Sequence, residues 1–158
     1  MPAGQGAPPQ IKPESLDDYL EVQSKAVFQS GISWRVVDAK WSGIKEAFND
    51  FQVGAIAAMG DEQIDALADD TRLIRNRRKI AAIVHNARRM IELEDEYDGF
   101  VNYLRSFDDF YALIADMRKQ FKFMGNMGVY YWMWVVGEKV PPHDEFSART
   151  ARRAMSTA

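Results

Sequence analysis

The run Ile80, Ile83, Val84, Ala87 and Ile91 constrains this chain more than any other feature. These apolar residues recur at helical spacing with Lys79, Arg88 and Arg89 off the stripe, which describes an amphipathic helix with one face to bury. Such a helix folds only against other elements. No other apolar stretch shows the period-two alternation of a strand, so its partners are expected to be helices.

Punctuation residues divide the rest of the chain. Ser15-Leu16-Asp17-Asp18 offers a cap oxygen and first-turn carboxylates. The stripe of Leu16, Tyr19, Leu20 and Val27 then predicts a helix ending near Gly31. Ser33 is placed to cap a short helix with Val36, Val37 and Trp41, and Ser42 another with Ile44, Ala47 and Phe48. Residues 53–59 are apolar and stop at Gly60, after which Asp61 opens a helix bearing Ile64, Leu67 and Ala68. The acidic stretch 92–99 closes the Ile80 helix, and further helices are expected over 100–104, 108–118 and 126–136. The fold class is all-α, a single-domain bundle of short helices joined by tight turns. Residues 1–13 read as a flexible Pro/Gly arm, 14–146 as the helical domain and 147–158 as a basic tail.

Composition bounds the function classes. The 158 residues fit one domain, and 47% hydrophobic content with 12% aromatics supports a packed core. A net charge of −3 excludes a general polycation, so any nucleic-acid contact must come from a local patch. No apolar run approaches the ~20 residues that span a bilayer. The N-terminal residues lack the pattern of a signal peptide, and no cysteine is present to form disulfides or thiolate metal sites. A cytoplasmic monomer is the expectation.

Three motifs carry chemistry. Phe28-Gln29-Ser30-Gly31-Ile32-Ser33-Trp34 combines a helix stop, a helix start and a large aromatic. Arg72, Arg75, Arg77, Arg78 and Lys79 crowd the turn before the Ile80 helix. A turn between two helices can offer backbone N–H groups to a phosphate with cations beside them. Read alone, the same charges describe a solvated surface paired with Asp69 and Asp70. The third motif, Phe121-Lys122-Phe123-Met124-Gly125, leads into the most apolar helix.

In this order the motifs resemble the DNA-3-methyladenine glycosylase I family, helix-hairpin-helix enzymes that excise alkylated bases from DNA. The resemblance covers roughly residues 15–143. It implies hydrolysis of the N-glycosidic bond of an alkylated purine, with double-stranded DNA as partner; for this chain no cofactor is expected. Trp34 becomes the aromatic wall of a base pocket, with Gln29 near the pocket or the strand-separating wedge, and Phe123 and Tyr131 closing it opposite. Arg75, Arg77, Arg78, Lys79 and Lys122 become the DNA contacts.

The sequence departs from the family at defined positions. Ala26 stands where the family has its base-reading glutamate. Glu21, the nearest upstream carboxylate, is ~140° away around the helix. Arg72 and Arg78 replace hairpin glycines, and Tyr131 replaces a small polar residue. The family's zinc, held by two cysteines and two histidines, finds only His85 and His143 here, so no metal is expected and packing should hold the terminal helices. No catalytic residue is assigned; of Asp108, Asp109 and Asp116, one of the first two reads as a helix cap. The alternatives are a non-catalytic DNA-binding module with the same fold, and a helical interaction protein whose basic turn is plain surface.

Overall fold

A computed structural model describes residues 8–157, with side chains through residue 151. Among the described residues all regular structure is helical: α1 (Leu16–Gln29), α2 (Trp34–Ala47), α3 (Val53–Ala57), α4 (Asp61–Ala68), α5 (Arg77–Glu96), α6 (Phe100–Leu104), α7 (Phe110–Gln120), α8 (Asn126–Val135) and α9 (His143–Thr157). None of these helices is long and apolar enough to cross a membrane.

Two helices organise the rest. α1 is buried on most of its circumference and packs against α5 and α8, while α5 also carries α3, α4 and α6. Local chemistry sets their starts. The Ser15 hydroxyl accepts from the Asp17 N–H at 3.2 Å, and the Asn76 side chain accepts from the Lys79 N–H at 3.1 Å. Asp17 also accepts the first N–H of α3, from Val53, at 2.8 Å, so one first-turn carboxylate fixes a second helix. α1 ends as expected before Gly31, whose φ of +78° suits a residue without Cβ.

Several boundaries differ from the expectation. The two short helices expected at Ser33 and Ser42 are one helix, α2, because nothing at Ser42 interrupts the backbone and Ile44 stays on the face carrying Val37. Val36 and Ile91, expected in apolar stripes, are exposed. α5 runs through most of the acidic stretch, which offers good helix formers and no glycine before Gly99. After α2, Asn49, Asp50 and Phe51 all adopt positive φ, at 53°, 56° and 54°. That left-handed turn costs roughly 1–2 kcal/mol per residue. It drives Phe51 into the core, stacked on Phe48 at 5.0 Å and Trp41 at 5.4 Å.

Both chain ends are docked where they are described. Residues 1–7 of the expected arm lie outside the described residues. Beyond them, the Ile11 N–H donates to Val135 O at 2.8 Å and Gln10 Nε2 to Trp134 O at 2.9 Å. This strap pairs the Val135 carbonyl at the end of α8 and adds a second donor to Trp134 O, which also accepts the Gly137 N–H at 3.1 Å. The basic stretch from residue 147 continues α9, which begins at His143. α9 is held by aromatic packing: Phe146 is buried against Tyr130 at 4.6 Å, and Arg149 lies over the Tyr111 ring at 3.7 Å.

Candidate active site

The first and third motifs meet in space. The end of α1 contributes Ala26, Gln29 and Ser30, α2 contributes Trp34, and the turn before α8 and its first turns contribute Phe123 and Tyr131. Together they line a cleft of about 290 Å³. All four expected pocket residues therefore face one space. Trp34 and Tyr131 touch across it edge to face, with centroids 4.5 Å apart at 83°. Trp34 is 40% exposed, so it is no core tryptophan.

The cleft is aromatic and poor in charge. Ala26 presents only a methyl group there, and no carboxylate among the described residues lines the wall. The polar groups are the Gln29 amide, the Ser30 hydroxyl and the Tyr131 phenol. Burial, with the Asp38 carboxylate as a second cause, pushes the Tyr131 phenol up to about 12, so it stays protonated and able to donate at neutral pH.

The walls are stiffly held. Phe123 is exposed at a φ of +58°, a conformation that needs support in a bulky residue. The support is Asn86, fully buried on α5. Its Oδ1 accepts the Lys122 N–H at 2.8 Å and its Nδ2 donates to Lys122 O at 3.1 Å. This clamp fixes the backbone of the third motif against α5. The sequence signal for it was a polar residue within the apolar stripe of α5.

On the basic turn, the cations divide by partner. Arg72 forms a two-bonded pair with Asp70, its Nη2 at 2.6 Å and its Nε at 3.0 Å, and reaches Glu46 at 3.3 Å. Arg77 Nε donates to Asp65 at 2.6 Å. Arg75 and Arg78 are exposed and form no ion pair among the described residues. The capping of Lys79 N by Asn76 leaves the Arg77 and Arg78 N–H groups without partners there. Lys122 is likewise an exposed side chain.

Lys79 requires a correction. It was expected off the buried stripe and on DNA, yet it is 4% exposed. Its ammonium donates to the Phe28 carbonyl at 3.0 Å and the Ser30 carbonyl at 2.5 Å, and burial lowers its pKa. The negative end of α1 favours a cation at that place. Lys79 thus pins the start of α5 to the segment that bears Gln29 and leads to Trp34. Its spacing to Ile83 and Ala87, four residues apart each, was the sequence sign of burial.

Other ionisable groups have structural duties. Asp109 caps α7 by accepting the Ala112 N–H at 2.8 Å, and Asp116 accepts the Tyr103 hydroxyl at 2.7 Å. The family's zinc does not fit this donor set. His85 sits beside Gln120 O at 3.4 Å while His143 opens α9 against the Tyr130 ring, and no group of three or more ligands is assembled among the described residues.

The methyladenine glycosylase family model matches residues 17–120. Over 95 residues the chain is 35% identical to DNA-3-methyladenine glycosylase 1 of Escherichia coli (strain K12), covering 55% of this chain and 51% of that one. It is 35% identical over 89 residues to DNA-3-methyladenine glycosylase of Haemophilus influenzae, covering 56% and 48%. The chain spans about half the length of these curated relatives. Among solved structures, 3-methyladenine DNA glycosylase I from Staphylococcus aureus shares the fold at a TM-score of 0.69 and 23% identity, over 83% of this chain and 79% of that one. Another structure of a 3-methyladenine DNA glycosylase I gives 0.69 at 27% identity, over 80% and 81%.

Proposed function

This chain belongs to the methyladenine glycosylase family, and we propose that it is a DNA glycosylase that removes an alkylated purine of the 3-methyladenine type in base excision repair. The observation that carries the reading is the meeting of Gln29, Trp34, Phe123 and Tyr131 in one open cleft.

The chemistry asks little of the protein in acid catalysis. A purine alkylated at a ring nitrogen carries a positive charge, so it leaves C1′ with the bonding pair as a neutral base. Water adds at C1′ and gives up its proton. The protein must extrude the nucleotide, hold the base and exclude bases without the charge. The electron-rich face of Trp34 suits a cationic ring, and the Gln29 amide and Tyr131 hydroxyl supply hydrogen bonds. Arg75 and Arg78, with the open N–H groups at the start of α5, form a phosphate grip of the helix-hairpin-helix kind, and Lys122 adds charge beside Phe123. The partner is duplex DNA with an alkylated base, engaged by a cytoplasmic monomer.

Single-turnover base release from methylated duplex DNA tests the reading, with products separated by chromatography. Wild-type protein should release 3-methyladenine, and Trp34→Ala should slow release by about ten- to a hundredfold, the worth of one stacked base. Salt-dependent DNA binding without release of any base would favour a non-catalytic DNA-binding module.

A further inference from the structure

The Trp34–Tyr131 pair is shared by two compartments. On one side lies the cleft that Ala26 lines. On the other is a larger cavity of about 770 Å³, bounded by the N-terminal strap, α1 and α2, which also includes Gln29, Trp34 and Tyr131. Its chemistry differs. Trp41 adds a third ring, and four carboxylates enter the wall, Glu14 and Asp18 towards the strap and Glu21 and Asp38 towards the rings, with Lys12, Lys25 and Lys45 among them.

Glu21, bonded to Trp41, and Asp38, one turn from Trp34, are the acids beside the rings, and they are not equivalent. Glu21 is occupied at both oxygens, by Trp41 Nε1 at 3.1 Å and Lys45 at 3.2 Å. Asp38 has one partner among the described residues, Lys25, at 2.7 Å from Oδ1. Both members of that pair are well exposed, at 36% for Lys25 and 57% for Asp38, and such a pair contributes at most about 1 kcal/mol. A ligand cation can therefore displace the Lys25 ammonium at small cost. Asp38 lies one helical turn beyond Trp34 on α2, so the carboxylate and the ring share a face. Its field also reaches Tyr131, where, second to burial, it raises the phenol's pKa.

A flat ring bearing a fixed positive charge fits this arrangement: aromatic surface for its face and a carboxylate oxygen for its charge or its exocyclic amine. We propose that Asp38 is the residue that selects a cationic purine, held on the strap side of Trp34 and Tyr131, with Lys25 as the built-in competitor that keeps the carboxylate paired when the cavity is empty. This rests on the glycosylase reading for its biological setting but not for its test. The charge reader then stands on α2, while the smaller cleft with its Ala26 wall has none.

The experiment is a tryptophan-fluorescence titration of the full chain with 7-methylguanosine, whose purine is cationic, against guanosine, which is neutral. Wild-type protein should prefer the cation. Asp38→Asn should reduce that preference by about ten- to a hundredfold, the worth of one charged hydrogen bond. Lys25→Gln should raise it, because the competing ammonium is gone. Equal binding of the two nucleosides by wild-type protein, or an equal loss of preference in both variants, would overturn the proposal, the second by showing that the ion pair merely braces α1 against α2. Base release from methylated DNA is run separately and decides the glycosylase reading alone. No release with an Asp38-dependent preference would retire that reading and keep this one. Release with an Asp38-independent preference would do the reverse.

Discussion

The basic turn and the aromatic cleft respond to sequence change in opposite ways. On the turn, the cation-rich sequence is present, yet Arg72, Arg77 and Lys79 are bound to Asp70, Asp65 and the end of α1. Only Arg75 and Arg78 stand exposed without an ion pair among the described residues. In the cleft, the expected carboxylate is replaced by Ala26 and a bulky Tyr131 is introduced, yet the space remains open and the aromatic walls converge. A charged side chain acquires its role from whichever partner comes first, and in a folded domain that partner is often internal. A cleft keeps its shape through backbone supports such as Asn86 and Lys79, which tolerate exchange of the residues they present.

The largest effect should come from breaking the link between the two regions. Lys79→Met keeps the aliphatic stem but leaves the Phe28 and Ser30 carbonyls without their donor. The loss should be about 2–3 kcal/mol, lowering Tm by roughly 5–10 °C for a domain of this size. Differential scanning calorimetry measures it. An unchanged Tm together with weaker DNA binding would mean that Lys79 reaches the phosphates after all, and would dissolve the contrast between the regions.

The next effect separates the cations of the turn. Replacing Arg75 and Arg78 together by Gln should weaken duplex binding about tenfold at moderate salt and reduce the slope of log affinity on log salt by about 2. Arg77→Gln should change the slope by much less, since its guanidinium already serves Asp65. Fluorescence anisotropy at several salt concentrations gives both numbers. A slope reduced by about 1 in Arg77→Gln would show that Arg77 leaves Asp65 when DNA arrives.

Much of this was legible from the sequence, for definable reasons. Helix class and most helix ends followed from local signals, namely the stripe of α5, the caps at Ser15 and Asp109, and the stop at Gly31. The four cleft residues followed from the order of the motifs and the family they resemble. What escaped was decided by neighbours distant in sequence. The strap depends on carbonyls at the end of α8, the left-handed turn at 49–51 on room for Phe51 between Phe48 and Trp41, and the Asp38 compartment on α1 meeting α2. Lys79 and Asn86 fell between these cases. Both are buried on α5, Lys79 against the expectation, although its four-residue spacing to Ile83 and Ala87 hinted at it, while the carbonyls and N–H they bind lie far off in sequence.

The smallest effect tests whether the turn holds its own shape. Asp70 is held down to about 2, chiefly by the side-chain hydrogen bond from Arg72 and then by the Arg72 backbone N–H. Its folded pKa lies below the unfolded value near 4, so the unfolded chain binds the proton first on acidification. The contribution is therefore complete above about pH 4 and is lost as the pH falls through that value towards 2. Asp70→Asn should remove this part of the acid sensitivity and lower neutral-pH stability only slightly, because the pair is at the surface. Urea melts at intervals between pH 5 and pH 2 would show the wild-type and variant curves converging at the acid end. Parallel curves would mean that Arg72 is not held by Asp70 in solution, and that the turn has one more cation to offer a phosphate than its geometry suggests.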